Sequence, residues 1–291
     1  MSARIGRLAS VAVIGIAAAI GAAGPARASD VPGGGVTFAF QYSSGTEHWP
    51  PQARAALESA GATVASYLTV PQPVIIDIDV VGLNSPGDTN IAASFVGFTG
   101  NDTPGFFPTV VQEKILTGND ANGATPDGQI TYNFAEPWGV DPVPGDQYDF
   151  TTVAIHELLH VLGFLSGSEG PGSENRNWTT YDGFLRAADG TPVIDEAFAL
   201  KPQYAATLTG ADGGLFFDGP NAVSAFGGPV PLFTPAQWAT ASRSVSHVDG
   251  LPGYLMDPFY GYGPGVREIT PVEMAMLRDL GYVVNPPPPA I

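Results

Sequence analysis

No cysteine occurs among the 291 residues, so disulfides, thiolate metal sites and thiol catalysis are all closed to this chain. Basic residues are scarce: 11 Lys and Arg, scattered singly, stand against 28 Asp and Glu, a formal charge of −17 with a pI near 4.3. Binding a phosphate backbone needs clustered cations, and their lack excludes nucleic acid as the partner. Long apolar runs are missing too. Val11 to Gly24 is uncharged but shorter than the roughly 20 residues that span a bilayer, so no stable membrane anchor is expected. What the chain does have is a 44% hydrophobic share with 10% aromatics, enough for a core. Gly and Pro together reach about 22%, short of the roughly 25–30% of low-complexity chains.

The first 28 residues read as an export signal. Arg4 and Arg7 open it, the run Val11 to Gly24 follows, and Ala26-Arg27-Ala28 supplies a small-x-small cleavage pattern. Cleavage near Ala28 makes the protein secreted. Three of the 11 basic residues and none of the 28 acidic ones lie in that segment, which leaves 8 against 28, a charge of −20.

Beyond it, Val36 to Tyr42 is aromatic and β-branched and reads as a strand. Pro50 to Leu68 carries Ala53, Leu57, Ala60, Val64 and Leu68 at amphipathic-helix spacing. Pro73 to Leu83 and Ile91 to Phe98 are further strands, then a long Gly/Asp/Asn loop leads to a strand over Gln129 to Phe134. Asp149 to Gly163 is the clearest helix, with Asp149 as N-cap and Gly163 as its left-handed stop. Residues 166–250 show no strong period. Thr270-Pro271-Val272-Glu273 is a capping box with Pro at the first helical position, opening a closing helix that ends at Gly281. In the loop Gly118 to Gly128, the residues Asn119, Asp120, Asn122 and Asp127 suit Ca²⁺ as a structural ion.

The central helix contains His156-Glu157-Leu158-Leu159-His160. Residues four apart share one helix face, so two imidazoles can grip one Zn²⁺. Glu157, about 100° round the helix, reaches a metal-held water without being a ligand. Zinc lowers that water's pKa towards about 7, and the carboxylate takes its proton. A mostly apolar helix carrying His, Glu and His without a partner would be costly. Zinc needs a third protein ligand. His48, before Trp49-Pro50-Pro51, reads as a surface residue, while His247 lies shortly before Tyr254-Leu255-Met256-Asp257-Pro258. Glu196, in Val193-Ile194-Asp195-Glu196-Ala197, would give a gluzincin-type site. Asp249 beside His247 would close a structural zinc site in an exported binding module.

His156-Glu157-x-x-His160-x-x-Gly163 resembles the first part of the metzincin zinc-peptidase signature. The slot of the usual third His is Ser166. The arrangement looks like the leishmanolysin branch, with the third His after a long insertion just ahead of a Met-turn. The resemblance assigns His247 as third ligand and Leu255-Met256-x-Pro258 as the turn. Leishmanolysins are rich in cysteine, so this would be a distant, bacterial-type relative. Where some metzincins place a Tyr two residues after the Met stands Pro258, so no Tyr role carries over. The resemblance implies an α+β zincin. It would have a twisted mixed sheet and two long helices in an N-terminal catalytic subdomain (29–165), then an irregular C-terminal subdomain (166–291). The implied activity is that of a secreted zinc metalloendopeptidase acting on protein or peptide substrates. His156, His160 and His247 would hold zinc and Glu157 would be the base. The strand Gln129 to Phe134 would be the edge that receives extended substrate.

Overall fold

Along Val74–Leu83 every second residue is buried, from Val74 through Ile76 and Ile78 to Val80, while Ile75 and Leu83 face out. That period of two is what a sheet covered on one face requires. The computed structural model describes residues 7–8, 35–100, 103–238, 245–250 and 252–285. Apart from residues 7 and 8, the export-signal reading of residues 1–28 lies outside them.

The strands of three or more residues in the first half, among the described residues, are β1 (Val36–Ser44), β2 (Val74–Leu83), β3 (Ala92–Val96), the short β4 (Gly105–Phe107) and β5 (Gly128–Asn133). Four of them form one sheet in the order β1-β2-β5-β3. Its first three strands are parallel and β3 runs antiparallel to β5. This corrects the expected edge. The segment Gln129 to Phe134 sits inside the sheet, and β3 is the outer strand on that side. Helices and a mixed sheet together are compatible with the α+β class. The buried residues form one cluster that runs through both halves of the chain.

Helix α1 (Pro51–Ser66) starts on the Pro at its first position and buries Ala53, Leu57, Ala60, Gly61 and Val64. Small residues on that face allow close approach: a Cβ on Gly61 would lie 3.0 Å from the Phe40 ring. The loop expected between the third and fourth strands contains a helix, α2 (Val110–Thr117). Thr109 and Gln112 form its capping box and Gly118, at φ 80°, stops it. Lys114 of α2 also corrects the calcium reading. Its ammonium lies 2.9 Å from Asp127 and 3.1 Å from Asp120, while the Asn122 amide is turned onto the Thr125 and Pro126 carbonyls. The acids already face a cation.

Helix α3 (Phe150–Val161) is buried on nearly every side, including His156, Glu157 and His160. Asp149 caps it through the N–H groups of Thr151 and Thr152. The apparently irregular 166–250 region holds three-residue strands, too short to show a period. β6 (Asn177–Thr179) is parallel to β4, and β7 (Leu185–Ala187), β8 (Leu215–Phe217) and β9 (Val230–Leu232) form an antiparallel sheet. A short helix, α4 (Pro220–Phe226), connects β8 to β9. Helix α5 (Pro271–Asp279) closes the chain, capped by Thr270 and Glu273 as expected. No helix among the described residues is long and apolar enough to cross a membrane.

One polar bridge ties the start of α3 to the segment before α5. Arg267 Nε and Nη2 reach the two carboxylate oxygens of Asp149 at 2.8 and 3.0 Å, and Nη1 reaches Asp141. Burial pushes the Asp149 carboxyl up. The Arg267 hydrogen bonds and the N–H groups of Gly265 and Thr152 outweigh it and hold it below its ordinary value. Asp149 is 3% exposed, so Arg267→Ala should cost about 2–3 kcal/mol. That is less than a fully buried pair would lose, because the arginine keeps some solvent. A group whose folded pKa is depressed stabilises above its unfolded pKa, near 3.9, and stops doing so as pH falls through the folded value. Denaturant unfolding should therefore show the two proteins converging in strong acid. A gap that persists there would remove the Asp149 charge from the account.

Candidate metal centre

Two hydrogen bonds fix the tautomers of the helical histidines. His156 Nδ1 lies 2.9 Å from the Leu255 carbonyl and His160 Nδ1 lies 2.7 Å from the Phe164 carbonyl. A carbonyl only accepts, so each Nδ1 carries the proton and each Nε2 presents a lone pair. Gly163 makes the second bond possible. At φ 93° the chain turns back there, and a Cβ would fall 2.7 Å from the Gln112 side chain of α2.

His247 arrives from the other half of the chain. The Phe233 N–H donates to its carbonyl, Val248 N–H donates to the Met256 carbonyl, and Leu232 bridges to Val248. Ser166, in the slot where a third histidine was looked for, serves this placement. Its N–H donates to Ser246 Oγ and its hydroxyl to Asp182, a carboxylate buried among Gly167 and Thr179 donors. Tyr181 OH meets the Val245 carbonyl.

The result is a convergence of three ring nitrogens. His156 and His160 Nε2 are 2.9 Å apart, and His247 Nε2 lies 3.2 and 3.3 Å from them. All three residues are fully buried. Nitrogens 2.0–2.1 Å from one tetrahedral ion would stand about 3.3 Å apart. The group can hold a metal ion, and the donor set fits one. Lone pairs facing each other at such distances repel unless a cation lies among them. Burial lowers the pKa of His156 to about 4, against the hydrogen bond to Leu255, and that of His160 well below its ordinary value. Both are therefore neutral at pH 7, the form in which an imidazole can bind a metal.

Glu157 extends to strand β3. Ser94 Oγ lies 2.5 Å from its Oε2, while Oε1 is buried with no hydrogen-bond partner. Burial raises this carboxyl to about 8, with the Ser94 bond acting the other way. Ser94, 2% exposed, had no sequence signal, because an alternating strand does not say which helix it will face. Tyr260, four residues after Met256, also reaches the site. Its ring meets His156 edge-on at 5.3 Å and its hydroxyl donates to the Leu255 carbonyl. The alternative ligands fall elsewhere. Glu196 is exposed on a turn, not a helix, because Asp195 winds the chain by accepting the N–H groups of Ala197 and Ala199. Asp249 is also exposed, so neither acid joins the group. His48 is partly exposed beside Glu47, outside it.

Comparison with protein-family models, curated proteins and solved structures finds no match. The geometry therefore has to carry the functional argument.

Metal analysis should find one divalent transition ion per chain, and chelation should lower the melting temperature, since an ion that binds only the folded state stabilises it. His247→Ala should weaken binding by more than about 100-fold, the upper range for losing even an outer partner of a ligand. His48→Ala should leave it intact. Equal affinities for the two variants would sink the triad.

Proposed function

We propose that this chain is a secreted zinc metalloendopeptidase of metzincin type. The observation that carries this reading is a pairing: three convergent imidazole nitrogens, and a buried carboxylate oxygen with no partner on the next residue of the same helix. A structural zinc needs a fourth protein ligand, and none stands with the triad among the described residues. Such a site would also have no use for Glu157. Imidazoles suit several first-row ions. Zinc is preferred because a three-histidine site with one position open is a catalytic zinc arrangement.

Zinc, when bound, supplies Lewis acidity that polarises a substrate carbonyl and acidifies water. The chain's own groups do the rest. Oε1 of Glu157 accepts the proton of the attacking water and passes it to the leaving amine, the usual exchange of base and acid roles. Ser94 holds Oε2 and so fixes the rotamer that leaves Oε1 available. A cation at the triad opposes the effect of burial on Glu157 and favours its ionised form. Extended peptide would add to the outer edge of β3, which carries Ser94 beneath the helix. A cavity of about 420 Å³, lined by Thr152, Tyr254, Tyr260 and Tyr262 among others, adjoins the site through Tyr260 and would take a substrate side chain.

Glu157→Gln tests the assignment. It should retain the metal and the fold while hydrolysis of casein or a quenched fluorescent peptide falls by about 10²–10⁴-fold. Parental activity in that variant would end the general-base role. A zinc-loaded parental protein that cleaves no peptide would end the peptidase reading.

A further inference from the structure

A capping glutamate needs only one of its oxygens to cap. In Glu273, Oε2 accepts the Thr270 N–H at 2.9 Å and the Thr270 hydroxyl at 2.7 Å, which completes the box at the start of α5. Oε1 goes elsewhere. It accepts the Met256 N–H at 2.7 Å, from a loop 17 residues upstream in sequence. All three partners are donors, and the side chain is fully buried. Three donors and no acceptor are what an ionised carboxylate requires.

The Met256 N–H belongs to the same peptide unit as the Leu255 carbonyl. That carbonyl accepts from His156 Nδ1 at 2.9 Å and from Tyr260 OH at 3.0 Å. One peptide group thus has a buried anion on its N–H and a metal-ligand imidazole on its oxygen. An anion on the N–H side of an amide draws its resonance toward the charge-separated form and makes the oxygen a stronger acceptor. A stronger acceptor polarises Nδ1–H, and the ring's other nitrogen becomes a better donor. Hydrogen bonds in series reinforce one another in this way, the more so in a low-dielectric interior. Carboxylates that touch the outer nitrogen of a ligating histidine act similarly.

We infer that Glu273 is a positioning residue of the metal centre, acting on His156 through the Leu255–Met256 peptide. The inference rests on the triad being a metal site and not on the reaction performed there. Glu273 orients that peptide so that its oxygen faces His156, and its charge strengthens His156 as a donor.

The test uses the full chain, stripped of metal and titrated with Zn²⁺ against a chromophoric chelator, and separately with Co²⁺ to read the visible spectrum. Glu273→Gln keeps the shape and removes the charge. It should weaken Zn²⁺ about 10-fold, the lower end for an outer partner, and shift the Co²⁺ bands. Thr270→Val breaks the same cap but leaves the Met256 contact, so it should lower the melting temperature with metal affinity within about 2-fold of parental. Unchanged affinity and spectrum in Glu273→Gln would overturn the inference, as would an equal loss in Thr270→Val. Should Glu273→Gln not fold, the parental protein still decides. Zn²⁺ should move the Met256 amide proton downfield and leave that of Thr270 in place, and a static Met256 signal refutes the relay. A 10-fold loss in a protein that cleaves no peptide leaves this inference standing and removes the peptidase. A parental chain that takes up no Zn²⁺ removes both.

Discussion

Nitrogen lone pairs repel, and the centre of this fold brings those of His156 and His160 together, beside the His247 ring, out of reach of water. Backbone carbonyls at Leu255 and Phe164 hold the Nδ1 protons of His156 and His160, so neither ring can relieve the repulsion by turning its N–H inward. Protonation is opposed by burial, which depresses the basicity of both. A cation held among the nitrogens would relieve that repulsion.

Each ligand is steered by a different part of the chain. His156 and His160 owe their spacing to the helix itself, but the orientation of His160 depends on the reversal at Gly163. His247 depends on a longer path. Its neighbours Val245 and Ser246 are registered by Tyr181 and Ser166, and Asp182 in turn holds the Ser166 hydroxyl. The stretch from Ser166 to Asp182 therefore takes part in placing His247 within the triad.

Sequence legibility followed the range of the interactions. The spacing in His156-Glu157-x-x-His160, the Asp149 cap and the box at Thr270–Glu273 are local, and each is found where the sequence puts it. Helix α2 was equally local, written in Thr109, Gln112 and Gly118, but eight residues between Gly-rich stretches gave too little period to stand out. Strand order was not legible. The parallel pairing of β2 with β5 and the outward place of β3 depend on contacts across the whole first half, and the edge was assigned to the wrong strand. Ser94 shares that reason, being one alternate residue of a short strand until α3 covers it. The third histidine was reached only through the resemblance at Met256. Glu196 was the weaker rival, and it is the turn at Asp195 that sets it apart from the triad, because residue type alone does not tell a ligand from a surface acid.

The same kind of contact bears on how a chain without disulfides holds separate segments together. Its buried acids act as cross-links: Asp149 to Arg267, Asp127 to Lys114 and the Asp77 N–H, Asp182 to Ser166 and Thr179, Glu273 to Met256. Asp149 and Glu273 join segments that helix or strand pairing leaves apart, and each of the four carboxylates is almost wholly enclosed. A disulfide constrains mainly the unfolded chain. A buried carboxylate constrains the folded one, because only the native arrangement of donors offsets its desolvation. Three of the four clasps grip the stretches beside the histidine triad: the first turn of α3, the chain leaving α3 at Ser166, and the turn at Met256. Where the ligands must be held most closely, the fold uses links that are strong only when every donor is in register, so a small displacement of one ligand is resisted by the segment that carries it.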